Sequence, residues 1–385
     1  ALPIYMRVVP ELADQVWNIG LESESVAGLL KLPFDRDDYL DLNLRYLRLP
    51  GDETDRIDPS QEISIEQTSE EEELVDVLAD IDPRELPRMH FSTDEFYIGD
   101  LPYGSWSFTL NPNSSGVEVD NLAFDFRGLR LGMDKAADGE LEEQSVSHFS
   151  WHYDGIEHGS ALAGVLTADD MADVLTANGY AASLESDSAE FVVDISWPGS
   201  PAFFAASGLS GDIGIDVEDG RFLQGAGGAG ALKLISILNF DAIMRRLRFS
   251  DDLHRKGLAY DDIEGQLKLS NGLVNIEEQL VISGPSSLYQ ITGDLDLKEE
   301  TISGEMYLTL PVSENIPWLG LLTANIPLAV GAYLFDRVFG SQVNSLTSAV
   351  YTLEGPWEGL EPEFKQAFGS PNNNSNTSQP DAVVQ

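Results

Sequence analysis

The amino-acid sequence predicts a mainly β protein: an antiparallel sheet with one apolar face and one acidic face, joined by a few helices. Three observations carry this reading. Apolar and polar residues alternate in short runs, turn residues separate those runs, and acidic side chains recur at the polar positions.

The runs, taken in order, define strands. Leu40, Leu42, Leu44 and Tyr46 alternate with Asp41, Asn43 and Arg45, which puts the two sets on opposite faces of one strand. Leu122, Phe124 and Phe126 alternate with Ala123, Asp125 and Arg127. Phe191, Val193, Ile195 and Trp197 alternate with Val192, Asp194 and Ser196. A meander begins at Ile263, where Leu267 and Leu269 run into Asn271-Gly272, a pair favoured in two-residue hairpins. Val274 and Ile276 follow, then Leu280 and Ile282, a Gly284-Pro285 break, Tyr289 and Ile291, Leu295 and Leu297, and Met306, Leu308 and Leu310. Short links between consecutive runs favour antiparallel pairing.

Three segments break the alternation. A helix is expected over 168–178, opened by Thr167 as N-cap with Asp169 and Asp170 behind it, and stopped by Asn178-Gly179. A second is expected over 229–247, where Leu232, Ile235, Leu238, Ile243 and Leu247 recur at helical steps. The third lies in an apolar segment over 313–348. From Ile316 to Phe335 it carries no charged side chain, a length that nearly spans a bilayer. Pro317, Asn325 and Pro327 would split it into two short helices. Such a hairpin can bury against the sheet or dock on lipid. The lipid- or membrane-contacting residues expected on the docking reading are Trp318, Leu319, Leu321, Leu322, Ile326, Leu328, Val330, Tyr333, Leu334 and Phe335. The remaining divisions are strands over 1–65, an acidic linker over 66–88 that includes Glu70 to Glu73, the main sheet over 89–312, a closing strand over 349–369 and a disordered Asn-rich tail over 370–385.

Composition narrows the function. The 385 residues include 22 Lys and Arg against 66 Asp and Glu, a net charge of -44. Such a surface repels phosphate backbones, which excludes nucleic acid as a partner. An anionic lipid surface is repelled too, unless an apolar element docks locally. A saline surrounding would screen the self-repulsion. The absence of cysteine excludes disulfides, thiol catalysis and Cys-based zinc sites. The chain opens Ala1-Leu2-Pro3-Ile4 with no basic or apolar leader, so any targeting signal is expected to have been removed or to lie upstream.

The search for chemistry returns little. Gly225 to Gly230 fits G-x-G-x-x-G, yet a dinucleotide fold needs a parallel strand and an acid about 20 residues on. Asp251 and Asp252 stand there in a polar run with no strand before them, and a meander follows. His148 and His152 share the polar face of a strand in which Phe149, Trp151 and Tyr153 alternate with them. A metal would need a third ligand such as His158 or Asp154. Carboxylate pairs are too common among 66 acids to mark a glycosidase, and no G-x-S-x-G elbow occurs. The chain is expected to be neither an enzyme nor a cofactor binder.

One stretch is more specific. Leu234 to Phe240, Arg245 to Asp251 and Lys256 to Gly265 resemble the signature region of the YhdP family, large AsmA-like proteins of the Gram-negative envelope. Trp197-Pro198-Gly199, Gly284-Pro285-Ser286-Ser287, Ile291 to Leu297 and Gly355-Pro356-Trp357 flank it in the expected order. The resemblance implies an AsmA-like, bridge-like fold: an elongated, twisted antiparallel sheet curled into a groove with an apolar interior. It implies phospholipid acyl chains and the inner leaflet of the outer membrane as partners, and a periplasmic location in a protein anchored to the inner membrane. The chain would be the C-terminal part, moving phospholipid between inner and outer membranes. Its alternative is an envelope scaffold whose apolar face is filled by its own helices through Leu232, Ile235 and Leu238.

Overall fold

The computed structural model describes residues 5–11, 15–35, 37–49, 76–99, 101–132, 147–178, 180–223, 258–285, 287–311, 346–356, 360 and 362–369. The expected helix over 229–247, the glycine run at Gly225–Gly230, the tail and all ten docking residues from Trp318 to Phe335 lie outside them.

Strands of this kind satisfy their backbone groups by pairing edge to edge, and the described residues form a single sheet of 18 strands. These are β1 (Tyr5–Glu11), β2 (Val16–Glu22), β3 (Val26–Pro33), β4 (Leu40–Leu49), β5 (Met89–Ile98), β6 (Leu101–Asn113), β7 (Gly116–Phe126), β8 (Leu129–Leu131), β9 (His148–Tyr153), β10 (His158–Ala168), β11 (Leu184–Pro198), β12 (Ser210–Phe222), β13 (Leu258–Ser270), β14 (Leu273–Gly284), β15 (Ser287–Asp296), β16 (Thr301–Pro311), β17 (Leu346–Pro356) and β18 (Glu363–Gly369). Among the described residues one α-helix, α1 (Met171–Ala177), links β10 to β11.

The strands lie in chain order. β8 and β9 share one lane: both pair with β7 on one side and β10 on the other, β8 near Phe124 and Leu166, β9 near Val119 and Leu162. Seventeen lanes at about 4.8 Å each make a ribbon roughly 77 Å long. Every junction is antiparallel except β4–β5, where Leu40 pairs with Met89 and Leu49 with Ile98 in parallel. The meander expected from Ile263 is antiparallel throughout, and the parallel junction lies upstream of it, where 39 residues separate Leu49 from Met89.

Local chemistry fixes several joints. Asn271 and Gly272 take φ 50° and 92°, the primed-turn conformation that matches strand twist. Asp170, not Thr167, caps α1: its carboxylate accepts from the Ala172 N–H at 2.8 Å. Both residue types cap helices, and Thr167 is instead paired within β10.

The apolar face is concave. On β13, Tyr260 reaches across β12 and donates its hydroxyl to the Glu185 carbonyl of β11 at 2.5 Å. It passes over Gly220, where a Cβ would collide with the phenol ring. Phe149 on β9 and Trp197 on β11 likewise meet across β10, ring centroids 6.0 Å apart. Side chains two lanes apart touch this way where the sheet curls towards them.

Candidate functional site

Register turns the alternation into continuous apolar rows. Val8, Ile19, Leu30, Leu42, Phe91 and Phe108 are successive cross-strand partners. Leu110, Val119, Phe149, Leu162 and Ile195 form the next row. Ala168, Ala189, Val217, Ile263, Ile282, Tyr289, Leu308 and Ala349 carry the face towards the other end. The opposite face bears acids, among them the row Glu190, Asp216 and Glu264.

Cover differs along this face. At the β14–β17 end the apolar side chains are closed over: Met306, Tyr289, Leu308 and Leu353 are 0–1% exposed. At the β1–β5 end Trp17 is 39% and Leu32 40% exposed, and Ile19, Leu30, Leu42 and Phe91 are only half-buried. Burying a large aliphatic or aromatic side chain is worth about 1.5–3 kcal/mol. An apolar face half-covered over five strands leaves part of that burial free energy unrealised.

The two rims of the ribbon differ as well. One rim holds the short turns, including those at 271–272 and 297–300. It also holds a strap, residues 76–88, which returns along it to β5. Leu78 and Leu86 of the strap pack on Leu110, Val117 and Trp151. Asp76 fastens it: its carboxylate accepts the Ser200 N–H at 2.9 Å and the Ser200 hydroxyl at 2.5 Å. Burial opposes the charge on Asp76, but the hydroxyl and amide of Ser200 and the amide of Leu78 outweigh it and hold the carboxyl below its usual range. His158 is a second fastening, with Nε2 3.0 Å from the Ala79 carbonyl and Nδ1 accepting the Trp151 indole N–H at 3.0 Å. Because the indole can only donate, Nδ1 is the acceptor and Nε2 carries the proton.

The other rim holds α1, the ends of β12 and β13 that bound 224–257, and the ends of β16 and β17 that bound 312–345. Aromatic rings line the apolar face beside it: Phe96 and Tyr103 at 5.8 Å, Tyr103 and Phe126 at 5.1 Å, Trp106 and Phe124 at 4.6 Å. Arg127 closes this ladder. Alternation assigns it to the polar face, but at φ 51° its guanidinium turns over the Tyr103 and Phe126 rings, 5.4 and 5.3 Å from their centroids.

The histidines form a strand, as alternation requires. His148 pairs with Glu118 at 2.9 Å and lies 3.8 Å from Asp120. Asp154 instead caps its own turn through the Ile156 and Glu157 amides, and His158 holds the strap. Among the described residues no group of three His, Asp or Glu is placed to hold a metal. No helix among them is long and apolar enough to cross a membrane.

The described residues thus form a single sheet with one apolar face, curled towards that face, and an opposite face that bears acids. The chain belongs to the YhdP family: the family described as YhdP protein matches residues 5–359. This is a bacterial envelope family of the lipid-transport kind, transport rather than catalysis being its character. No curated protein and no solved structure matches the chain.

Proposed function

We propose that this chain is the C-terminal part of a periplasmic conduit that moves phospholipid between the inner and outer membranes, its acyl chains lying on the apolar face. The observation that carries this reading is the row Ile19, Leu30, Leu42, Phe91 and Phe108, continuous across five strands and only half-covered. Each methylene withdrawn from water gains about 0.8 kcal/mol, so a tail is held without specific contacts and can slide. The segment Pro317 to Phe335, with Trp318, Leu322 and Leu328, is assigned to docking on the destination leaflet.

The experiment is native mass spectrometry of the purified chain, then organic extraction and lipid identification. Near-stoichiometric phospholipid is expected, lost when Leu42 and Phe91 are both replaced by Asp. Leu322→Asp or Leu328→Asp should keep bound lipid yet abolish delivery to acceptor vesicles. A chain that folds and never carries lipid would overturn the reading in favour of a scaffold. The closed packing around Met306 and Tyr289 is the observation that favours that second reading.

A further inference from the structure

The strap lies on the apolar face itself. Leu110 pairs with Val119 and Val117 with Trp151, and the two-residue period puts all four on the side of Phe108 and Phe149. Leu78 and Leu86 press on Leu110, Val117 and Trp151 there. Phe108 joins this covered patch to the half-covered row: it pairs with Phe91 and packs into the patch under the strap. The cover is light. Leu78 and Leu86 are only half-buried, while Val77 is 74% and Ile81 42% exposed. Among the described residues, the backbone-to-backbone hydrogen bonds of 76–86 close within the strap, so it can lift without breaking a strand ladder. The far end is held by polar contacts, Asp76 on Ser200 and the Ala79 carbonyl on His158, with Arg84 over the Tyr153 ring, 5.0 Å from its centroid. At the other end the Arg88 carbonyl accepts the Leu40 N–H at 3.0 Å, which ties the strap to the start of β4.

We propose that the strap is a displaceable lid on the apolar face: closed, Leu78 and Leu86 occupy the place of an acyl chain over Val117 and Trp151, and lifted, a tail takes that place. The inference rests on the acyl-chain reading above and adds control of access to it. Exchanging leucines for methylenes replaces one apolar cover by another, so the patch stays out of water in both positions. The polar fastenings then decide which cover is in place. Release at Ser200 frees the length between Asp76 and Arg88, which stays tied beside β5. Val77 and Ile81 gain nothing from the closed position, and in the lifted one they are free to lie against the incoming tail.

The chain has no cysteine, so Asp76→Cys with Ser200→Cys places a reversible bolt where the fastening stands. Oxidised, the full chain has its strap locked; reduced, the same protein lacks the Asp76–Ser200 bonds. Both forms are incubated with phosphatidylcholine vesicles carrying a photoreactive diazirine on one tail, and the labelled residues are mapped by mass spectrometry. The reduced form should carry at least about tenfold more label at Val117 and Trp151, the factor by which losing one charge-assisted hydrogen bond shifts an opening equilibrium. Label at Leu42 and Phe91, outside the strap, should be equal in the two forms. Ser200→Ala against wild type repeats the comparison without the bridge and should move the same way. Equal label at Val117 and Trp151 in locked and released forms, with Leu42 and Phe91 labelled, overturns the lid while leaving the acyl-chain reading intact. A rise at Leu42 and Phe91 as large as that at Val117 and Trp151 would mark general loosening of the sheet and overturn the lid as well. No label in any form overturns both readings.

Discussion

The Asp76–Ser200 contact ties the strap to the end of β11, and the geometry lets its strength be worked out. Ser200 is 0% exposed, so its N–H and hydroxyl cannot turn to water when Asp76 is lost. Asp76→Ala strands two buried donors, a cost of roughly 2–5 kcal/mol. Ser200→Ala removes only the hydroxyl contact, a charge-assisted bond worth about 1.5–3 kcal/mol. The double variant should cost less than the two together, by about 1–2 kcal/mol. Native-state hydrogen exchange reads this locally. The Ala79 and Ile81 amides close the strap turn onto the Asp76 and Leu78 carbonyls, and Ser200→Ala should speed their exchange by roughly ten- to 150-fold. Amides of β15 and β16, packed elsewhere, should keep their rates. Equal exchange at Ala79 in wild type and both variants would refute the latch. An equal loss in β16 would show that the strap is part of the global core.

Two further outcomes follow from electrostatics. Because the folded-state pKa of Asp76 is depressed, its stabilisation is present above the unfolded carboxyl range and is lost as pH falls through the folded value. Strap amides should lose protection below about pH 4 in wild type and not further in Asp76→Ala, as hydrogen exchange corrected for intrinsic rates would show. On the outer face, Asp194 stands opposite Asp212 and Glu190 opposite Asp216, with Lys268 bridging Asp212 at 3.1 Å and Glu277 at 3.8 Å. Salt should therefore stabilise the sheet, by roughly 1–2 kcal/mol between low and high ionic strength. Lys268→Gln should enlarge that increment in urea melts, and a chain destabilised by salt would contradict the assignment.

What the sequence makes legible is what a two-residue period encodes. The faces of β4, β7 and β11 follow from alternation, and the Asn271-Gly272 turn follows from residues that accept positive φ. Pairing partners are another matter, because alternation assigns faces and not neighbours. Nothing in the runs themselves says that β4 and β5 lie parallel, or that β8 and β9 share a lane. Asp76 is one acid among 66, and its partner is 124 residues away. Its apolar companions Leu78 and Leu86 are the faint signal that the acidic stretch returns to the sheet. Arg127 reads as a polar-face residue until its left-handed backbone is known. The docking residues are legible as composition, while their surroundings depend on packing across sequence distances that local pattern does not carry.

The parallel joint explains why the strap exists. β4 ends at Leu49 on the α1 rim, whereas β5 starts at Met89 on the opposite rim, so the chain must travel the width of the ribbon, about 30 Å for nine residues of strand. It does more than that. Asp76 is fixed at Ser200 beside β11, six lanes from β4 with the shared lane counted once, and the strap then runs back over β10, β9, β7 and β6 to Met89. Width and overshoot together ask residues 50–75 to bridge roughly 40 Å, which needs at least about 12 extended residues; 26 are present. Shortening this stretch to about 18 residues should leave strap protection at Ala79 unchanged. Shortening it to about eight should free Asp76 from Ser200 and raise exchange at Ala79 to the level of Asp76→Ala, with β4–β5 pairing retained because 13 strap residues remain to help cross the width. Full protection with only eight residues would mean that Leu49 and Asp76 lie on the same rim, and the separation of the two rims would have to be abandoned.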